Sequence, residues 1–459
     1  MNVQKIVESS KDNSVRMQEV NASERLCSSG TNPSCAIIID TSKSYQKFLG
    51  FGGALTESAG YVLSLLPKEK KQEVLSSYFA PTESGGNNYT FARTHLNSCD
   101  FSLGNWACVE EKDETLSSFS MEKPDLYLTP LMQDAQKAKG SPLSILLSPW
   151  SPPAWMKDNG EMNHGGHLLS QYRELWAAYF VRYIQELKKR NLETAFVTVQ
   201  NEAAANQPWD SCLWSAKEEG LFAAENLGPA LERAKLKAGI LVWDHNRDLL
   251  AERFEESMSV PGGDKYIAGA AYHWYSGDQY ENVKSVSRKF PDRQLIFTEG
   301  CVEGGPRNGA WFTGERYAHN IINDLNSGAT GWIDWNIALN MEGGPNHVGN
   351  NCDAPVLVDT KEGTLHYQSS FYAIGHFSRY ILPESRRVEL SMTPYMTPAT
   401  VDGRMGNTME ATAFIRPDKK PVIVISNRTE ADMVYDLSIA GASSVRYKAP
   451  PRSIQTLCF

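Results

Sequence analysis

No apolar run in the 459-residue chain approaches the roughly 18–20 residues that a membrane-spanning helix needs, so an integral membrane segment is not expected. The first twenty residues, MNVQKIVESSKDNSVRMQEV, lack an apolar stretch of about 7–15 residues and a small-residue cleavage site. They do not read as a signal peptide, and the location expected on that ground is cytoplasmic. Positive charge is scarce: 45 Lys and Arg against 54 Asp and Glu leave a formal net charge of −9, which argues against nucleic acid and anionic membrane as partners. The eight cysteines form no CxxC pair, which removes zinc-ribbon and dithiol redox motifs; most read as small buried hydrophobes, with Cys27–Cys35 the one locally plausible bridge. The three sequons, at Asn21, Asn88 and Asn427, carry no weight without a secretory signal.

Cofactor and nucleophile signatures are missing too. Gly50-Phe51-Gly52-Gly53 has no third glycine at dinucleotide spacing, and no Gly-x-Ser-x-Gly elbow occurs. His164-Gly165-Gly166-His167 has neither helical spacing nor a carboxylate alongside, so no metal site is read there. The expectation is an enzyme or binding protein without cofactor or metal.

What the sequence does have is alternation. Short apolar, β-branched runs at Phe48–Ala54, Tyr89–His95, Leu143–Pro149, Thr194–Asn201, Gly239–His245, Ile267–Tyr275, Gln294–Glu299 and Thr330–Asn336 alternate with helical patterns. The clearest helix is Gln171–Lys189, with Leu175, Trp176, Tyr179, Phe180, Tyr183, Ile184 and Leu187 on one face; others are expected over Lys217–Lys237 and Gly314–Asn326. Eight strand–helix repeats with near-continuous apolar strands predict an α/β fold, a (β/α)8 TIM barrel over residues 46–380. After residue 380 the period becomes two: Arg387–Met392, Thr408–Ile415, Pro421–Asn427, Met433–Ser438, Val445–Lys448 and Ser453–Cys458 read as antiparallel strands. Two short N-terminal strands, Val15–Val20 and Ala36–Asp40, complete the pattern. Residues 1–45 and 381–459 are therefore expected to build one attached β-sandwich from both chain termini.

A barrel of this kind carries its chemistry at the C-terminal ends of its strands. Strand four ends in Gln200-Asn201-Glu202 and strand seven in Thr298-Glu299-Gly300. Strand six ends in His273-Trp274-Tyr275 and strand eight in Asp334-Trp335-Asn336. Strands two and three lead into Asp100 and Trp150. Two carboxylates facing each other across one mouth, with indoles and amides beside them, suit glycosidic bond cleavage. Its oxocarbenium-like transition state needs one carboxyl to protonate the leaving oxygen and another to attack or stabilise the anomeric carbon. An ionised carboxylate beside it would keep the acid protonated.

These motifs resemble glycoside hydrolase family 30, in its glucosylceramidase-like branch. The resemblance rests on Phe48-Leu-Gly-Phe-Gly-Gly-Ala-Leu-Thr-Glu57, Ser98-Cys-Asp-Phe-Ser102, Ser148-Pro-Trp-Ser-Pro-Pro-Ala-Trp155 and Gly331-Trp-Ile-Asp-Trp-Asn-Ile-Ala-Leu-Asn340. Glu342-Gly-Gly-Pro-Asn346, Asn350, Asp353-Ala-Pro355 and Gly375-His-Phe-Ser378 follow in the same order. It implies Glu299 as nucleophile and Glu202 as acid/base, with Asn201 on the sugar 2-hydroxyl. It also implies Asp100 and Trp150 on the far hydroxyls, Trp335 and Asn350 in the same subsite, and Tyr275 and His273 on the nucleophile side. The implied activity is that of a retaining exo-acting β-glycosidase on terminal glucose or a similar sugar, its partner a glycoside. A β-xylosidase, an endo-β-1,6-glucanase and a silent sugar-binding protein are the alternatives. One departure concerns the acid/base loop: the family usually has proline after that glutamate, and here Ala203 follows.

Overall fold

The structure is a computed structural model describing residues 3–12, 16–28, 30–393 and 408–459. It divides into two compact units. One comprises residues 51–306 and 331–366; the other comprises residues 1–50, 307–330 and 367–459.

The first unit is built on a closed barrel of eight parallel strands: β1 (Phe51–Ala54), β2 (Phe91–Leu96), β3 (Ser144–Pro149), β4 (Thr194–Thr198), β5 (Gly239–Asn246), β6 (Ile267–His273), β7 (Gln294–Glu299) and β8 (Gly331–Asn336). Each strand falls inside or within one residue of an expected run. The strands are buried on both faces, which is why they read as continuous apolar runs rather than alternating ones. The helix Arg173–Lys189 buries Trp176, Tyr179, Phe180, Tyr183 and Leu187, each large side chain contributing roughly 1.5–3 kcal/mol by leaving water.

The helix expected over Lys217–Lys237 is instead continuous over residues 216–233, with a wide turn in its middle. It runs as Ala216–Leu221, opened by a Ser215/Glu218 capping box, then as a π turn Phe222–Leu227, then as Gly228–Arg233. Pro229 has no N–H and its ring crowds the carbonyl four residues back, so the widened turn lets the helix continue past it.

Three strands shift register near their C-terminal ends: β5 between Trp243 and His245, β7 between Phe297 and Glu299, and β8 between Asp334 and Asn336. Such bulges re-aim side chains at a barrel rim. Trp243 (φ 77°), Asp244 (φ 46°) and Glu202 (φ 49°) hold left-handed backbone, each costing about 1–3 kcal/mol that the surrounding hydrogen bonds must offset. Gly300 follows Glu299 because a Cβ there would lie 2.7 Å from the rings of Phe297 and Trp274.

The second unit holds a nine-stranded, mostly antiparallel sheet drawn from both termini. Its N-terminal strands are Lys5–Ser10, Gln18–Asn21 and Cys35–Lys47; the first was not expected, and the expected Val15–Val20 begins outside the described residues. Its C-terminal strands are Arg386–Thr393, Met409–Ile415, Pro421–Asn427, Met433–Ile439, Val445–Ala449 and Ser453–Cys458. Ile6, Ile37, Val388, Ile423, Tyr435 and Leu457, from six of these strands, share one apolar core, so the sheet closes on itself as a sandwich. The helix Trp311–Ser327 clusters with this unit, where His319 and Arg428 both bond the buried Glu410 carboxylate at 2.8 Å. All eight cysteines are free thiols, Cys27 and Cys35 included. Among the described residues no helix is long and apolar enough to cross a membrane.

Candidate active site

The ends of the barrel strands surround a cavity of about 200 Å³. Eight of the nine residues singled out in the sequence line it: Glu202, Glu299, Asp100, Trp150, Asn201, Tyr275, Trp335 and Asn350. His273 does not. It is fully buried behind the wall, with Nδ1 3.3 Å from Glu202 Oε1 and Nε2 3.1 Å from Asp244 Oδ1. It therefore supports Glu202 from behind instead of presenting itself to a ligand.

The two glutamates meet. Glu202, Glu299 and His273 each offer an atom to a group whose members all lie within 4.8 Å of one another. Among the described residues these are also three side chains that could offer ligands to a metal ion, but Glu299 Oε2 already accepts from Arg93 Nη1 at 2.5 Å. The other oxygen, Oε1, accepts from the Tyr275 hydroxyl at 2.9 Å. His164, by contrast, is exposed and pairs with Glu161 at 2.8 Å, a carboxylate the sequence reading overlooked, and it lies outside that group.

Arg93 was missed. It has no exposed surface, and its guanidinium reaches Glu299, Asn201 Oδ1 (2.7 Å), Asp244 Oδ2 (2.8 Å) and Ser148 Oγ (3.3 Å). Its planar cation lies 4.8 Å from the Trp150 ring and 5.4 Å from that of Trp335, two indoles themselves stacked at 5.4 Å. Asp244 was missed as well. One oxygen takes Thr298 Oγ1 at 2.6 Å and His273; the other takes Arg93, with the hydroxyls of Thr198 and Ser148 at 2.8 and 3.0 Å. A charged residue inside an otherwise apolar barrel strand was the signal in both cases, since an unpaired buried charge is untenable.

Electrostatics follow from this packing. Burial opposes the charge of Asp244, yet Arg93, His273 and Thr298 hold it well below the usual carboxylate range. Burial also opposes the charge on His273, but Glu299, Asp244 and Glu202 push it up to about 9, so it is an imidazolium at neutral pH. Asp100 is pushed up to about 8 by burial and by the charge of Glu299, against the pull of Asn346 and Asn350, whose amides donate to Oδ2 at 3.0 and 3.3 Å. Burial and the charge of Glu202 raise Glu299, with His273 and Arg93 offsetting only part. Glu202, though buried, is lowered by the His273 hydrogen bond and by His245 and Arg93. Within the pair the surroundings therefore favour the charged form of Glu202 more than that of Glu299. The reason is positional: two imidazoles flank Glu202, His245 at 4.0 Å and His273 at 3.3 Å.

The loop after Glu202 is tied down at Glu202 N to Asp244 O, 2.8 Å, and Trp214 N to Ala203 O, 2.8 Å. Alanine at 203 is compatible with the φ of +49° at Glu202; a following proline would push that residue toward about −120°. A second loop is set by Leu339–Asn340 pairing in parallel with Val356–Asp359, and it carries Asn346, Asn350 and Cys352. Such a site can polarise and cleave a bond between two rings: a carboxylate pair, a fixed cation pair and flat apolar walls with amide donors.

Comparison with known proteins agrees with this geometry. Residues 48–381 match the Glycosyl hydrolase family 30 TIM-barrel domain and residues 384–457 match the Glycosyl hydrolase family 30 beta sandwich domain. The lysosomal acid glucosylceramidase of Mus musculus is 34% identical over 445 residues, covering 93% of this chain and 84% of that protein. An endo-1,6-beta-D-glucanase of Neurospora crassa is 26% identical over 415 residues, 87% of this chain and 83% of that one. Among solved structures, SrfJ from Salmonella typhimurium superposes with a TM-score of 0.91 at 33% identity, covering 99% of both chains. The chain therefore belongs to glycosyl hydrolase family 30 and is a glycoside hydrolase.

Proposed function

We propose that the protein is a retaining, exo-acting β-glycosidase that removes terminal glucose or a similar sugar by double displacement. Glu299 attacks the anomeric carbon and Glu202 protonates the leaving oxygen, then takes a proton from the water that releases the sugar. The observation that carries this reading is that one oxygen of each carboxylate lies within 4.8 Å of the other, in keeping with the roughly 5–5.5 Å between the carboxyl groups of retaining enzymes. One proton on the pair is the active state. In that state Glu202 carries the proton toward the glycosidic oxygen and Glu299 is ionised.

Exo action is argued from Asp100 in the cavity wall and the amides that hold it. Asp100, kept neutral at neutral pH and bonded by Asn346 and Asn350, sits beside Trp150 where the far side of a terminal ring would lie. Asn201, whose oxygen is held by Arg93, is placed to donate its amide to the 2-hydroxyl. The endo-β-1,6-glucanase reading stays in view because a relative of that name covers most of the chain.

A panel of aryl β-glucoside, β-xyloside and β-fucoside, with anomeric NMR of the first product, tests the assignment. Glucose released first as the β-anomer is expected; the α-anomer would refute double displacement. Internal fragments from a β-1,6-glucan would refute exo action.

A further inference from the structure

A feature the proposed chemistry does not use is a pair of thiols in the cavity wall. Cys301 and Cys352 both line the cavity with Glu299, although they are distant in sequence. They are brought together by an antiparallel bridge, Glu303 opposite Cys352, with Asp353 N donating to Val302 O at 2.8 Å. In that register Cys301, Glu303 and Cys352 point to one face, and Cys301 lies diagonal to Cys352. Cys352 and the Tyr275 hydroxyl pull the Cys301 thiol down, while burial and the charges of Glu299 and Glu303 leave it above its ordinary value. Burial pushes Cys352 well up, so Cys301 is the more readily ionised of the two. Cys301 Sγ is also 3.5 Å from the Tyr275 hydroxyl, which donates to Glu299. Gly343 (φ 80°) keeps the second loop close, since a Cβ there would lie 2.3 Å from Cys352 O.

We infer that Cys301 and Cys352 form an oxidative modification site, at which a small two-electron oxidant of the peroxide class closes a Cys301–Cys352 disulfide and switches the enzyme off. The steps balance. The Cys301 sulfur attacks the peroxide, giving a sulfenic acid and water; the Cys352 thiol then displaces that hydroxyl, giving the disulfide and a second water. One peroxide is reduced and two thiols are oxidised. The cavity is the route of entry, which admits a water-sized oxidant and is closed by a bound sugar. Closure draws the Cys301 sulfur away from Tyr275, whose hydroxyl loses one of its two neighbours and no longer holds Glu299 Oε1 in place. The bond is reversed by an added dithiol.

The test treats the full chain with hydrogen peroxide and follows intact mass, peptide mapping and aryl glycoside turnover together. The expected result is loss of two hydrogens in mass, a cross-linked peptide joining Cys301 to Cys352, and a fall in turnover on the order of tenfold that dithiothreitol reverses. A competitive sugar-like inhibitor should slow the cross-link. The Cys352→Ser variant should keep its own untreated activity through the same exposure. An equal loss in that variant, or oxygen added to one cysteine with no cross-link, overturns the inference. Mass and mapping report the disulfide whatever the glycoside, so they separate a failure here from a failure of the glycosidase reading. If Cys352→Ser does not fold, mapping of the unsubstituted chain still decides.

Discussion

Replacing Arg93 with lysine tests whether one buried guanidinium holds the site together. The substitution keeps a positive charge and loses the planar fork. Arg93 now serves Glu299, Asn201, Asp244 and Ser148 at once, between two indoles, with no exposed surface. A lysine ammonium is a compact donor on a flexible stem and cannot span both carboxylates and the Asn201 amide oxygen. At about 4 Å between charge centres and an effective dielectric near 20, each of the two ion pairs is worth roughly 4 kcal/mol gross. Breaking a buried pair and leaving its partner uncompensated costs about 3–5 kcal/mol net. We expect Arg93→Lys to lose about 1–3 kcal/mol of stability, the range for a buried polar group left unsatisfied. Arg93→Ala should lose the larger amount.

Activity should suffer more than folding. Loss of one oriented donor at a site of developing charge typically costs a factor of roughly 10²–10³ in turnover. The assay pairs urea unfolding, followed by tryptophan fluorescence, with kcat/KM on an aryl β-glucoside. An Arg93→Lys enzyme with unchanged kcat/KM and unchanged unfolding midpoint would refute the reasoning.

Further outcomes follow from the same geometry. Glu299→Gln should abolish turnover with the fold intact, whereas Glu202→Gln should retain turnover of substrates whose leaving group needs no protonation, such as a dinitrophenyl glycoside, and lose it for alkyl glycosides; equal losses on both would contradict the separate roles. The pH dependence of kcat/KM should be bell-shaped because the singly protonated pair is the active form. Its acid limb should lie below the ordinary glutamate value, since Glu202 is lowered, and its basic limb above it, since Glu299 is raised; a flat profile would refute the shared proton. His376 is buried between Ser9 Oγ (2.9 Å) and Thr456 Oγ1 (3.0 Å), and burial pushes it down to about 3. With its folded value below its unfolded one, the unfolded chain binds the proton first, so this stabilisation is present above pH 6.5 or so and is lost as pH falls toward 3. The urea midpoint should drop over that window, and His376→Gln should flatten the drop; an equal slope in the variant would count against the assignment.

The barrel was legible because strands covered on both faces leave an apolar run, and eight such runs separated by helical stretches allow few architectures. Glu202 and Glu299 were legible because each ends such a run beside an amide or hydroxyl neighbour. Arg93 and Asp244 sit inside the runs, where a periodicity argument treats a charge as noise; only the pairing of the two across the barrel, invisible in one dimension, makes both permissible. The resemblance placed His273 on the nucleophile side, whereas its ring bonds Glu202 and Asp244, because the direction of a side chain at a rim depends on local register. The register shifts at Trp243/His245 and Phe297/Glu299 in the flanking strands have no sequence signature. The wide turn at Phe222–Leu227 could have been foreseen from Pro229, whereas the first N-terminal strand buries Ile6, Val7, Glu8 and Ser9 in succession and so shows no alternation.

Asp244 has a consequence for how the site responds while charge moves through it. Its two oxygens are spoken for by Arg93, His273, Thr298 and the Thr198–Ser148 hydroxyl pair, so both cations are held in place when, in the proposed double displacement, the negative charge on Glu299 is consumed. The surrounding dipoles stay aimed at a carboxylate that is momentarily absent. Reorganisation of the environment therefore contributes little to either half of the cycle, and the sugar ester is left in a field that favours its departure.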